Sequence, residues 1–158
     1  MRKVLLDSAV VSYWWMGKEE FKIAICRLEL ELADAASVPY ISAVSIQELS
    51  VACREEYLWD QWLTWIRERF VVLPFCEHHA VCAARLQKKV GTPGAGTKSE
   101  RREFKDMWFR DAAIVGTAMA DRFHLVVSSD KRFRAYREHF RGEIRIVEPG
   151  IRDLPTGV

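Results

Sequence analysis

Apolar residues in this chain fall into short runs that alternate with longer stretches at helical spacing. Residues 3–6 read as a buried strand that stops at Asp7-Ser8, where a helix through Val10, Val11 and Trp14 begins. Residues 19–36 carry Phe21, Ile25, Leu28 and Leu32 at steps of four, three and four, which predicts an amphipathic helix, and Pro39-Tyr40-Ile41 predicts the next strand. Further helices are predicted over 42–53 and 58–70, a strand over 71–74, and a helix over 77–90 that Gly91 ends. Residues 91–99, with three Gly and one Pro, predict a loop. A long helix over 103–121, a strand over 124–128, a basic helix over 131–140 and a last strand over 144–147 complete the series. Such alternation predicts an α/β fold with a mostly parallel sheet covered by helices.

Length and composition narrow the class. A chain of 158 residues has the usual size of one domain, 1–158, and 49% hydrophobic with 29% charged residues excludes a disordered or fibrous chain. No uncharged apolar run approaches the length of a membrane span. Arg2 and Lys3 precede an apolar stretch, as in a signal peptide, but Asp7 interrupts it and no small-residue cleavage site follows; the expectation is a soluble, cytoplasmic protein. Cys26, Cys53, Cys76 and Cys82 form no C-x-x-C pair and are expected as reduced core thiols. The net charge of +2 hides an asymmetry. Residues 1–79 hold 8 Lys and Arg against 12 Asp and Glu, whereas residues 80–158 hold 16 against 10. Basic residues cluster around Lys98, Arg101, Arg102 and Lys105, and again at Lys131, Arg132 and Arg134. Two such runs suit a polyanionic partner, although each alone also suits a solvated helix face.

Four acids stand out against this frame. In a helix, Asp111 has Met107, Ile114, Val115 and Ala118 at −4, +3, +4 and +7, which places its carboxylate inside the core stripe. Glu48 repeats the pattern, with Val44, Val51 and Ala52 at −4, +3 and +4. Asp7 and Asp130 follow strands, at the carboxyl edge where the crevice of a parallel sheet lies. Buried carboxylates are costly unless paired, so several converging acids point to a cation site. Each acid also has an ordinary role open to it. Asp7 and Asp130 precede helices as N-caps, Ser45-Ile46-Gln47-Glu48 matches a capping box, and Asp111 has Arg110, Lys105 or Arg132 as an ion-pair partner.

The segments Val4-Leu5-Leu6-Asp7-Ser8, Ser45-Ile46-Gln47-Glu48-Leu49, Arg110 to Ala118 and Ser128-Ser129-Asp130-Lys131-Arg132-Phe133, in that order and spacing, resemble PIN-domain nucleases, most of all the VapC toxins of bacterial toxin–antitoxin pairs. The resemblance spans residues 3–147 and implies a three-layer α/β/α fold with a central, mainly parallel sheet. It also implies an Mg²⁺-dependent endoribonuclease, with Mn²⁺ as an alternative ion, whose acids match Asp7, Glu48, Asp111 and Asp130. Ser128 fits the polar residue that commonly stands two positions before the last acid. The small polar pair after the first acid, often ending in Asn, is here Ser8 and Ala9. Hard Mg²⁺ prefers oxygen ligands at about 2.1 Å, needs no His or Cys, and activates a water for in-line attack on phosphorus. RNA contact is expected from Lys98, Arg101, Arg102, Lys105, Lys131 and Arg132. Partners implied by the resemblance are an RNA substrate, an antitoxin whose tail lies in a groove of the early helices, and a second copy of the toxin. The alternatives are a non-catalytic PIN-like module that binds RNA or protein, and a DNA-cleaving variant.

Three further patterns are weighed against chemistry. The Gly91–Ser99 segment looks like a Walker A loop, but Thr97 separates the last Gly from Lys98 and the segment follows a helix, so no nucleotide site is expected. Cys76, His78, His79 and Cys82 match no standard zinc spacing, and a helix start explains them. Trp59, Trp62 and Trp65 recur on one helix face, as core residues first and interface anchors second.

Overall fold

The computed structural model describes residues 2–91 and 98–150, except the side chains of residues 98–104. Its strands are β1 Val4–Leu6, β2 Pro39–Ser42, β3 Val71–Leu73, β4 Leu125–Ser128 and β5 Glu143–Ile146. Its helices are α1 Ser8–Met16, α2 Lys22–Asp34, α3 Ala43–Ala52, α4 Glu56–Arg69, α5 Glu77–Val90 and α6 Lys98–Ala120. The five strands form one sheet in the order β3-β2-β1-β4-β5, and every pairing is parallel.

Strand periodicity divides the core into two. Val4 and Leu6 pack with Val10 and Val11 of α1, Leu28 of α2, Leu49 of α3 and Ile66 of α4. Leu5, one residue out of phase, packs with Leu86 of α5, Ala112 and Val115 of α6, and Phe133. Helices therefore cover both faces, giving a three-layer α/β/α architecture, and all three residues of β1 are buried, as a central parallel strand requires. At Gly116 of α6 the backbone of α5 approaches closely. A Cβ there would sit 2.7 Å from the Ala83 backbone.

The strand order creates the crevice. After β1 the chain builds outward through β2 and β3, then returns to lay β4 on the other side of β1. Beyond the carboxyl ends of β1 and β4 the connections part in opposite directions, leaving a cleft at that switch point. Asp7 directly follows β1 and Asp130 lies two residues beyond β4.

Several expectations are corrected. Helix α6 starts at Lys98, five residues before the predicted start, because its first turns are polar helix formers with no apolar period to reveal them. The basic segment is not an α-helix but a 3₁₀ turn, Lys131–Tyr136, followed by irregular turns. Phe133 and Tyr136, three residues apart, both point into the core, which suits three residues per turn. Cys26 and Cys76 are exposed, and Cys53 and Cys82 are half-buried, so they are not core thiols. Trp62 is a core residue at 5% exposure, with Trp59 and Trp65 half-buried against the same cluster. The Walker-like register over residues 92–97 lies outside the described residues. No helix among the described residues is long and apolar enough to cross a membrane.

Candidate functional site

Local structure aims each acid. The Asp7 N–H continues the β1 ladder by donating to the Val127 carbonyl at 2.9 Å, and its side chain caps α1 by accepting from the Ser8 N–H at 2.7 Å. Its other oxygen accepts from the Ser128 hydroxyl, also at 2.7 Å. Ser128 in turn accepts from the Asp130 N–H at 3.0 Å, so one hydroxyl at the end of β4 ties the first and last acids together. Asp130 caps the 3₁₀ turn by accepting from the Arg132 N–H at 2.8 Å. The N-cap readings of Asp7 and Asp130 thus hold, and each cap leaves part of its carboxylate facing the cleft.

Asp111 has no such role. It sits mid-helix among buried Ile114, Val115 and Ala118, at 7% exposure, as the helical period predicts. Glu48 differs from expectation. Helix α3 buries Ser45 and Leu49, whereas Val51 is 81% exposed and Ala52 is also exposed, so Glu48 stands at the edge of the core face rather than within it. Nor does it close a capping box: Ser42 caps α3 through the Val44 N–H. Half-buried, Glu48 meets Arg110 Nη1 at 3.3 Å.

The four acids, drawn from α3, α6 and the ends of β1 and β4, line one cleft of about 600 Å³. Two guanidinium groups stand among them. Arg132 Nε lies 3.3 Å from Asp111 Oδ2, and its Nη2 contacts Asp130 Oδ2 more closely still. The ion pair anticipated for Asp111 is therefore present, with Arg132 as the partner. Among the described residues, no three of these carboxylates bring their oxygens within 4.8 Å of one another. Lys131 is exposed at the cleft mouth. Lys105 lies apart from the acids in a hollow with Gln87 and Phe109, and the side chains of Lys98, Arg101 and Arg102 are outside the described residues.

The PIN domain family model matches residues 4–139, a span that begins in β1 and ends beyond the 3₁₀ turn. The chain belongs to the PIN domain family. Solved structures share its fold at low identity. VapBC2 from Rickettsia felis, bound to a DNA fragment from its promoter, is 14% identical with a TM-score of 0.63, over 91% of this chain and 98% of that one. DNA-bound VapBC from Salmonella typhimurium is 19% identical with a TM-score of 0.59 over the same shares. A toxin–antitoxin complex from Klebsiella pneumoniae is 17% identical with a TM-score of 0.55, covering 82% of this chain and 88% of that one. Comparison with curated proteins gives no match.

The electrostatics of this PIN domain follow from burial. Burial pushes Asp7 from the ordinary 3.8 up to about 6, and the charge on Glu48 adds to the rise against the opposing hydrogen bonds from Ser128 and Ser8. Asp111 goes from 3.8 up to about 7, chiefly through burial. The Arg132 charge opposes that rise, while Asp7, Asp130 and Glu48 reinforce it. Asp111 Oδ2 is buried without an aligned hydrogen bond. A hard, oxygen-only donor set with such an unsatisfied oxygen fits a hard divalent cation.

A second group of metal-capable side chains, His78, His79 and Asp121, lies elsewhere in the PIN domain. Asp121 follows α6, and its carbonyl accepts from Lys3, the residue before β1, whereas the acids lie beyond the other end of that strand. The Cys76 N–H donates to His79 Nδ1 at 2.9 Å, closing a capping box at the start of α5. That bond leaves the ring proton on Nε2, 3.3 Å from Asp121, so His79 has no free lone pair for a metal. The helix-start explanation of the Cys and His cluster is the better one. Tyr13, stacked on Phe21 and lining the acid cleft, gave no signal in the sequence.

Proposed function

We propose that the chain is a VapC-type toxin, a divalent-metal-dependent endoribonuclease held in check by a cognate antitoxin. The observation that carries this reading is the convergence of four acids, from segments up to 123 residues apart between Asp7 and Asp130, on one cleft beside a basic rim. Mg²⁺, or Mn²⁺ in its place, would be held by Asp7, Glu48 and Asp111, with Asp130 direct or through water. When bound, such an ion supplies charge stabilisation and a more acidic water for phosphodiester hydrolysis.

The chain's own residues supply the rest. Ser128 and the Ser8 N–H hold the Asp7 carboxylate in one orientation and favour its charged form. The core around Asp111 excludes water from one side of the cleft, which strengthens every charge interaction there. Lys131, at the mouth, draws in a phosphate backbone without reading its sequence. The fold neighbours are complexes of toxins with antitoxins, which supports a protein partner of that kind. The exposed Trp15 and the half-buried Trp14 and Trp65 give the acidic half an aromatic surface for it. Labelled single-stranded RNA and DNA of one sequence, each incubated with Mg²⁺, Mn²⁺ or EDTA, test the reading. RNA should be cut with either ion and spared in EDTA; cleavage of DNA alone, or cleavage that EDTA leaves unchanged, would refute it.

A further inference from the structure

We infer that Arg132 is the resident counter-cation of the carboxylate cleft, and that a divalent metal reaches Asp111 and Asp130 only by displacing it. The inference rests on the metal-dependent reading above and adds a residue that sets metal affinity.

All three guanidinium nitrogens are engaged inside the cleft. Nε faces Asp111 Oδ2 at 3.3 Å, Nη2 contacts Asp130 Oδ2, and Nη1 lies 3.0 Å from the Met107 sulfur. One planar cation thus bridges two carboxylates brought from α6 and from the end of β4, the task otherwise left to a metal ion. Spreading the acids around a guanidinium is consistent with no three of them approaching within 4.8 Å.

The contacts are built to be exchanged. Arg132 Nε and Asp111 Oδ2 are both buried, yet neither forms an aligned hydrogen bond, so breaking that contact sacrifices Coulomb attraction alone. The thioether of Met107 is a weak acceptor. Asp130 divides its labour: Oδ1 accepts the Arg132 backbone N–H, while Oδ2 meets the guanidinium. The backbone of the turn therefore remains capped when the side chain leaves. At 28% exposure the side chain also has a path to the mouth, beside Lys131. Because metal and guanidinium compete for the same oxygens, metal affinity is lowered by the cost of Arg132 departure. Conversely, a phosphate that draws Arg132 outward raises metal affinity by linkage.

Mn²⁺ titration by calorimetry and by loss of the free-ion paramagnetic signal tests this without reference to cleavage. Arg132→Gln should bind Mn²⁺ about tenfold more tightly than wild type or better, since one competing charge is removed. Its melting temperature in EDTA should fall, and Mn²⁺ should raise it more than it raises that of wild type. Arg132→Lys, which keeps the charge but loses the bridging fork, should fall between the two. Should Arg132→Gln fail to fold, the lysine variant decides: tighter binding supports displacement and unchanged binding overturns it. An Arg132→Gln affinity equal to or weaker than wild type also overturns it. Asp111→Asn separates the two levels. If wild type binds and Asp111→Asn does not while Arg132→Gln is unchanged, the metal site stands and the displacement role falls. If neither wild type nor Arg132→Gln binds, both fall.

Discussion

Replacing Asp111 with Asn should stabilise the metal-free protein, and the gain should grow with pH. Asp111 sits in the folded protein at about 7 against an ordinary 3.8. Its ionisation is therefore about 4 kcal/mol costlier in the folded state than in the unfolded chain. The sign follows from proton binding. Between roughly pH 4 and 7 the folded state keeps a proton that the unfolded state has released, so stability falls as pH rises and levels off above about 7. Asp7, raised to about 6, adds a slope of the same sign that ends lower, and it is present in both proteins. Asn copies the shape of the protonated acid but sets amide N–H groups beside the Arg132 guanidinium, which takes back about 1 kcal/mol. The net gain is about 3 kcal/mol at pH 8, vanishes between about pH 4 and 5, and turns into a loss of about 1 kcal/mol at lower pH, where the wild-type acid is protonated in both states. Denaturant melts in EDTA across this range, with equal slopes for the two proteins, measure it directly. Saturating Mg²⁺ should then narrow the gap, because it binds only the wild-type folded state. A mutant no more stable than wild type at pH 8 in EDTA, or a gap that ignores pH, would refute the reasoning.

Two further outcomes follow from the same geometry. Ser128→Ala removes the hydroxyl that donates to Asp7, so Asp7 should rise above about 6 and the pH midpoint of Mn²⁺ binding should move upward; an unmoved midpoint in calorimetric titrations would remove Ser128 from the site. Trp62→Ala, at a position only 5% exposed, should cost about 3–5 kcal/mol in denaturant melts, whereas an interface role would leave the melt unchanged.

Some parts of the site were legible in the sequence because a local period reports them. Asp111 declared itself through neighbours at −4, +3, +4 and +7, and the structure buries it with Ile114, Val115 and Ala118, while Met107 is half-buried in the cleft wall. Asp7 and Asp130 were legible as strand-end acids once the alternation was read, and the parallel order places both at the switch point. Glu48 misled for a physical reason. Two faces of α3 carry apolar residues, but only the Ser45 and Leu49 face meets the core, and Val51 is left in solvent. A period marks an apolar stripe without saying which stripe the tertiary structure covers. The early start of α6 was hidden for the converse reason, since a polar helix has no stripe. The bridging geometry of Arg132 depends on how closely the turn after β4 approaches α6. Its name stood among the candidate partners of Asp111, but nothing local indicated that it would hold Asp130 at the same time.

The central claim is that the four acids make a metal-dependent nuclease, and it meets its most direct test in one paired digestion. Wild type and Asp111→Asn, each purified to homogeneity and shown by circular dichroism to be folded, would be incubated with end-labelled RNA with and without Mg²⁺. The account predicts discrete cleavage products from wild type with Mg²⁺, none in EDTA, and none from Asp111→Asn in either condition. Cleavage retained by the folded Asp111→Asn protein, or intact RNA with wild type and Mg²⁺ across varied sequences, would contradict it.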